Sequence, residues 1–188
     1  MSLPHSRRII AALSLAAVAT VIYAADLTVF APEKSSLSFV SKQMGVPVEG
    51  KFRKFDARLV VDPAKPEAGK VQLDIDLASI DAGSKDADDE VKSKNWFNVA
   101  LFPKASFVST SVKVLGGGKY EALGKLTLKG TTRDISVPFA VKADAAGALF
   151  EGGFTLKRLQ FKIGEGVWGD TDTVADDVQI RFKVFARK

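Results

Sequence analysis

The stretch KVQLDIDL at positions 70–77 decides the fold. Val71, Leu73, Ile75 and Leu77 alternate with Lys70, Gln72, Asp74 and Asp76. A two-residue apolar–polar repeat marks a half-buried strand, because successive side chains leave opposite faces of a pleated backbone. Working outward, the repeat returns at Ile135, Val137, Phe139 and Val141. It returns again at Val178, Ile180, Phe182 and Val184, and at Leu126 and Leu128 among Lys125, Thr127 and Lys129. Turn residues separate these runs: Asp62-Pro63 opens a loop to Gly69, and Gly116-Gly117-Gly118 reads as a hairpin tip. Residues 130–133 and 144–147 supply further breaks. Extended runs at 37–43, 46–61, 70–77, 106–114, 120–129, 134–142, 149–163 and 177–186 give about eight strands. Short connections between sequential strands favour an all-β, antiparallel, up-and-down order.

One segment departs from this rhythm. SKDADDEVKSKN at 84–95 is polar and places Ser84 as a cap, Asp86, Asp88 and Asp89 in a first turn, and Lys92 and Lys94 near the end. That order suits a short helix and its dipole. Trp96, Phe97, Leu101 and Phe102 follow directly, as a lid or plug at one mouth of a barrel would.

At the other extreme of the chain, Arg7 and Arg8 precede an apolar run at 9–22, and Ala24 stands before a plausible cut. Charged start, apolar middle and small-residue exit describe a secretory signal peptide over residues 1–24. A membrane-anchoring helix is the alternative, but the run falls short of the ~20 residues that span a bilayer. Ser6-Arg7-Arg8 matches a twin-arginine signal only in part. The expected organisation is a signal peptide at 1–24 and one domain at 25–188, exported to the periplasm.

Composition excludes several chemistries. Cysteine is absent and His5, the single histidine, lies in the signal segment. Thiol nucleophiles, Ser-His-Asp arrangements and the usual zinc, copper or haem ligands are therefore missing from the domain. The formal net charge of +5 is spread along the chain among acids, whereas nucleic-acid binding needs a concentrated basic patch. GEGVWG at 164–169 spells G-x-G-x-x-G, but Asp170-Thr171-Asp172-Thr173 follows without helical periodicity and would repel a pyrophosphate. Glu165, Asp170, Asp172, Asp176 and Asp177 form an acidic run in which Val174 breaks calcium-loop spacing. A solvated loop accounts for it better than a metal or an acid/base pair.

The chain has 13 Phe, nearly all on strands or the lid segment. Plain core packing explains such residues, and so does the wall of a tunnel, since an eight-stranded barrel is filled by side chains or holds one small ligand.

Several of these pieces together resemble the YceI-like family. They are Ser36-Leu37-Ser38-Phe39, Gly50-Lys51-Phe52 with Phe55, VQLDIDLASI at 71–80, Trp96-Phe97 and FPKASF at 102–107. GKLTLKGTT at 124–132, Arg158 with Phe161, and Val178-Gln179-Ile180 complete the match. Many members carry a His shortly before the first Ser-x-x-x-Phe element; here Pro32-Glu33-Lys34-Ser35 stands there, with no imidazole for a head group. The resemblance implies an eight-stranded antiparallel lipocalin-like barrel with a short helix near one mouth. It implies a periplasmic, non-catalytic carrier of a polyisoprenoid or quinone-like lipid, with no cofactor, metal or nucleic acid. Transient contact with inner-membrane proteins fits that role, and the oligomeric state, monomer or dimer, stays open.

The residues expected to line the tunnel are Phe39, Phe52, Leu73, Ile75, Phe97, Phe102, Phe107, Leu126, Leu128, Val137, Phe139, Phe154, Phe182 and Val184. Strand register could reverse any set of these. Arg158, between Leu156 and Leu159 on a long strand, is either a solvated side chain or a polar anchor for a lipid head group. Two rivals remain: a structural or stress-protective protein with a filled core, and a carboxylate-dependent enzyme. An outer-membrane barrel is disfavoured by the lack of aromatic girdles.

Overall fold

The computed structural model describes residues 27–62 and 65–187; the expected signal peptide lies outside them. The first strands are β1 (Val29–Phe30), β2 (Ser36–Gln43), β3 (Val46–Phe52), β4 (Phe55–Val60), β5 (Lys70–Asp76) and β6 (Ile80–Asp81). The helix α1 (Lys85–Lys92) follows, then β7 (Lys104–Gly116), β8 (Lys119–Leu128), β9 (Thr131–Asp144), β10 (Gly147–Lys157) and β11 (Asp177–Arg187). All are hydrogen-bonded antiparallel in one sheet of order β4-β5-β7-β8-β9-β10-β11-β2-β3-β6, with β1 pairing with β11. β3 runs into β4 through Arg53 and Lys54, and Leu27 bridges Val61 just past β4. Among the described residues β4 and β6, the ends of the hydrogen-bonded order, share no ladder, and the chain itself joins β3 to β4 there.

The described residues thus make eleven strands rather than eight. Two short strands, β1 and β6, fall in stretches too brief to show alternation. The run expected as one strand over 46–61 is broken at Arg53-Lys54. There the backbone bonds to a turn instead of a strand: Arg53 N–H donates to Ser79 O (3.0 Å), Lys54 N–H to Ser79 Oγ (2.9 Å), and Asp76 N–H to Lys54 O (3.1 Å). The run expected over 149–163 stops at Lys157, where a single 3₁₀ turn (Arg158–Phe161) takes over and Lys162 adopts φ +59°.

The helix begins as its cap foretells, with Ser84 Oγ accepting from Ala87 N–H (3.2 Å) and Lys85 paired to Asp89 one turn on. The β7–β8 tip turns on Gly116, Gly117 and Gly118, at φ +86°, +60° and +73°, a conformation only glycine adopts in sequence without steric cost.

Two strand glycines serve a different purpose. Gly50 lies beneath the Phe39 ring of the neighbouring strand and Gly124 beneath the Phe107 ring; a Cβ there would sit 2.2 and 2.5 Å from ring carbons. At Gly124 it would also meet Val108 O at 2.5 Å. Gly124→Ala is therefore expected to cost about 1–3 kcal/mol in urea unfolding. Gly169→Ala, with nothing within 4 Å, should be close to neutral by comparison.

Candidate functional site

The alternating faces converge inside the sheet on a cavity of about 590 Å³. That volume falls within the range of small-molecule sites, roughly 300–1,000 Å³. The wall is built strand by strand. β2 contributes Phe39, β3 Phe52, β5 Leu73 and Ile75, β7 Phe107, and β8 Leu126 and Leu128. β9 contributes Val137 and Phe139, β10 Phe154, and β11 Phe182 and Val184; Phe97 enters from the segment after α1. Phe102 is the exception among the expected lining residues. Its ring instead shields the β8–β9 turn, 2.8 Å from where a Cβ on Gly130 would be.

Sequence reading missed other wall residues. Val178 and Ile180 belong to the same alternating set as Phe182, and Ile135 to that of Val137; each set stands whole in the sequence, and more of it lines the wall than the part expected there. Trp96 and Trp168, with ring centroids 5.6 Å apart, line the cavity near α1. Trp168 sits in a glycine-rich loop that carries no periodic signal. Ala87, Glu90 and Val91 bring one face of α1 onto the cavity.

Aromatic rings give the interior its shape. Phe52 touches Phe39 at 5.9 Å and Phe97 edge-on at 6.2 Å. Phe139 stacks on Tyr120 at 5.4 Å and meets Phe150 at 6.2 Å. Phe139 also packs against both buried apolar clusters, so it stands where they join.

Arg158 reaches the cavity wall but is not free for a ligand. It is 1 % exposed. Its Nε–H donates to Ala175 O (3.1 Å), Nη1 to Ile163 O (2.9 Å) and Gly164 O (3.0 Å), and Nη2 to Trp168 O and Val174 O (both 2.6 Å). A guanidinium has five N–H donors. All five are spent on backbone carbonyls, which corrects both expectations for this residue: it lies past the strand end, and it offers no hydrogen bond to a head group. Burial pulls its pKa below the ordinary arginine value, with Asp176 opposing the shift. The guanidinium also lies 5.6 Å from the Trp96 ring.

This knot explains the first glycine of the G-x-G-x-x-G letters. Gly164, at φ +75°, leaves room for Arg158; a Cβ there would fall 2.2 Å from Nη1. The acids nearby hold the same loop. Glu165 pairs with Lys129 (2.9 Å), whose Nζ also donates to Lys162 O (2.6 Å). Asp176 Oδ1 accepts from Leu159 N–H (2.9 Å), Asp170 accepts from Asp172 N–H (3.0 Å), and Asp177 pairs with Lys157 (2.6 Å).

A family model described as the YceI-like domain matches residues 29–186, which cover the strands from β1 through all of β11 but its last residue, Arg187. The chain belongs to the YceI-like family. Among curated relatives, a UPF0312 protein of Azotobacter vinelandii is 33% identical, covering 72% of this chain and 71% of its own length. One of Ectopseudomonas mendocina is 35% identical, covering 66% and 69%. Among solved structures, BcnA of Burkholderia cenocepacia is 45% identical with a TM-score of 0.82, covering 84% of this chain and 99% of BcnA. A polyisoprenoid binding domain from Saccharophagus degradans, implicated in plant cell wall breakdown, shares the fold at a TM-score of 0.64 and 19% identity, covering 81% and 93%. The resemblance read from the sequence is thus correct, as is the antiparallel lipocalin-like class.

Proposed function

We propose that this protein is a periplasmic, non-catalytic carrier that holds a long apolar lipid, a polyisoprenoid or quinone-type chain, inside its barrel. The apolar cavity of about 590 Å³ carries the reading. A barrel meant only for stability would fill that space with its own side chains, since interiors pack to near-crystal density. Every buried hydrocarbon segment would contribute ~25 cal/mol per Å² removed from water, before ordering costs. Branched aliphatic and aromatic walls suit a methyl-branched chain, and the polyisoprenoid-binding relative from Saccharophagus degradans adds support. The carboxylates of Glu165, Asp170, Asp176 and Asp177 are engaged in holding the 164–177 loop, which favours a carrier over an acid/base enzyme. The reading includes cleavage of the 1–24 segment on export and passing contacts with inner-membrane proteins that deliver or accept the lipid.

The test is direct. Protein released by osmotic shock and sprayed under native conditions is expected to carry a lipid adduct, and organic extraction to release a prenyl-repeat compound. A bare polypeptide mass with nothing extractable would leave the carrier without cargo and sink the proposal.

A further inference from the structure

The cavity wall includes two charged side chains, Glu90 and Arg158. Arg158 has no N–H left to give. Glu90 is half-buried on the inner face of α1, between Ala87 and Val91, and among the described residues its carboxylate has no hydrogen-bonding or ion-pair partner. The tryptophan pair adjoins this end, through Trp168 in the loop that Arg158 ties down. Gln43 faces it too, bridged to Val174 of the same loop. Neighbouring charges reinforce the sign: Asp86, Asp88 and Asp89 share the helix, and Lys85 and Lys92 sit beside Asp89. Among the described residues that line the cavity, a phosphate would find a carboxylate and no cation with a free N–H.

We infer that the cavity discriminates against lipids with a phosphate head and favours the same hydrocarbon chain carrying an uncharged one. Glu90 is the repulsive element against phosphate. A like charge at close range in a partly desolvated site costs far more than in water, and specificity commonly rests on such a repulsion. This inference rests on the lipid-carrier reading and adds the chemistry of the head to it.

Geranylgeraniol and geranylgeranyl diphosphate share one hydrocarbon chain and differ only at the head. The chain has two tryptophans, Trp96 and Trp168, and both line the cavity, so their intrinsic fluorescence reports occupancy by either probe. Titration of delipidated protein at low salt is expected to give the alcohol at least a tenfold advantage, roughly the effect of one unpaired charge contact. Glu90→Lys is expected to shrink that advantage at least about fivefold, chiefly by tightening the diphosphate, with Glu90→Gln moving it the same way by less. Equal or tighter binding of the diphosphate by the native protein overturns the inference while leaving the carrier reading intact, and so does a ratio unmoved by both folded variants. Failure of both probes to bind overturns the two readings together.

Discussion

Arg158→Met should lower the free energy of unfolding by about 3–5 kcal/mol. Methionine keeps the length and apolar stem but leaves carbonyls of Ile163, Gly164, Trp168, Val174 and Ala175 without their donor. Ile163, Gly164 and Val174 are buried, so water cannot take over without opening the loop. The loss would read out in urea unfolding, and limited proteolysis should cut preferentially between residues 162 and 176. Arg158→Lys keeps the charge but presents three donors from a single point, and should recover less than half of the deficit. A methionine variant within about 0.5 kcal/mol of the native protein would contradict the account.

Phe139→Glu should cut lipid affinity at least a hundredfold while the barrel stays folded. Phe139 is half-buried on the cavity wall, stacked on Tyr120, at the meeting point of the two apolar clusters. A carboxylate there can stay hydrated in the emptied cavity. A hydrocarbon entering the cavity would strip that hydration without replacing it. Its backbone pairings with Tyr120 and Gly152 do not depend on the ring. Native-like strand signal in circular dichroism together with lipid still co-purifying would refute the prediction.

Much of this cavity was legible because a period-two pattern binds sequence to geometry without reference to distant residues. Each alternating set quoted from the sequence, from Val71 to Leu77, Ile135 to Val141, Val178 to Val184, and Leu126 with Leu128, faces the interior. What stayed hidden depends on partners far along the chain. Nothing between Phe52 and Phe55 breaks a strand; the break is imposed by Ser79 and Asp76. Arg158 follows an apolar run and reads as its continuation, because its five acceptors are backbone atoms of a loop without periodicity. Phe102 lies in a coil before Pro103, where no repeat fixes the direction of a ring. Glu90 did leave a trace: Ala87 and Val91 are four apart on α1 and mark the face it shares.

The rings of Phe39 and Phe107, each resting on a glycine across the strand boundary, make the calibre of the tube a property of two residues at a time. Trading a ring for an aliphatic branch would widen the inner contour, whereas a methyl group at either glycine would still press on a backbone oxygen, Asp81 O at 2.7 Å or Val108 O at 2.5 Å, so the glycines stay fixed while the rings can change. Exchange of either ring alone offers descendants of this architecture a short evolutionary route to thicker guests.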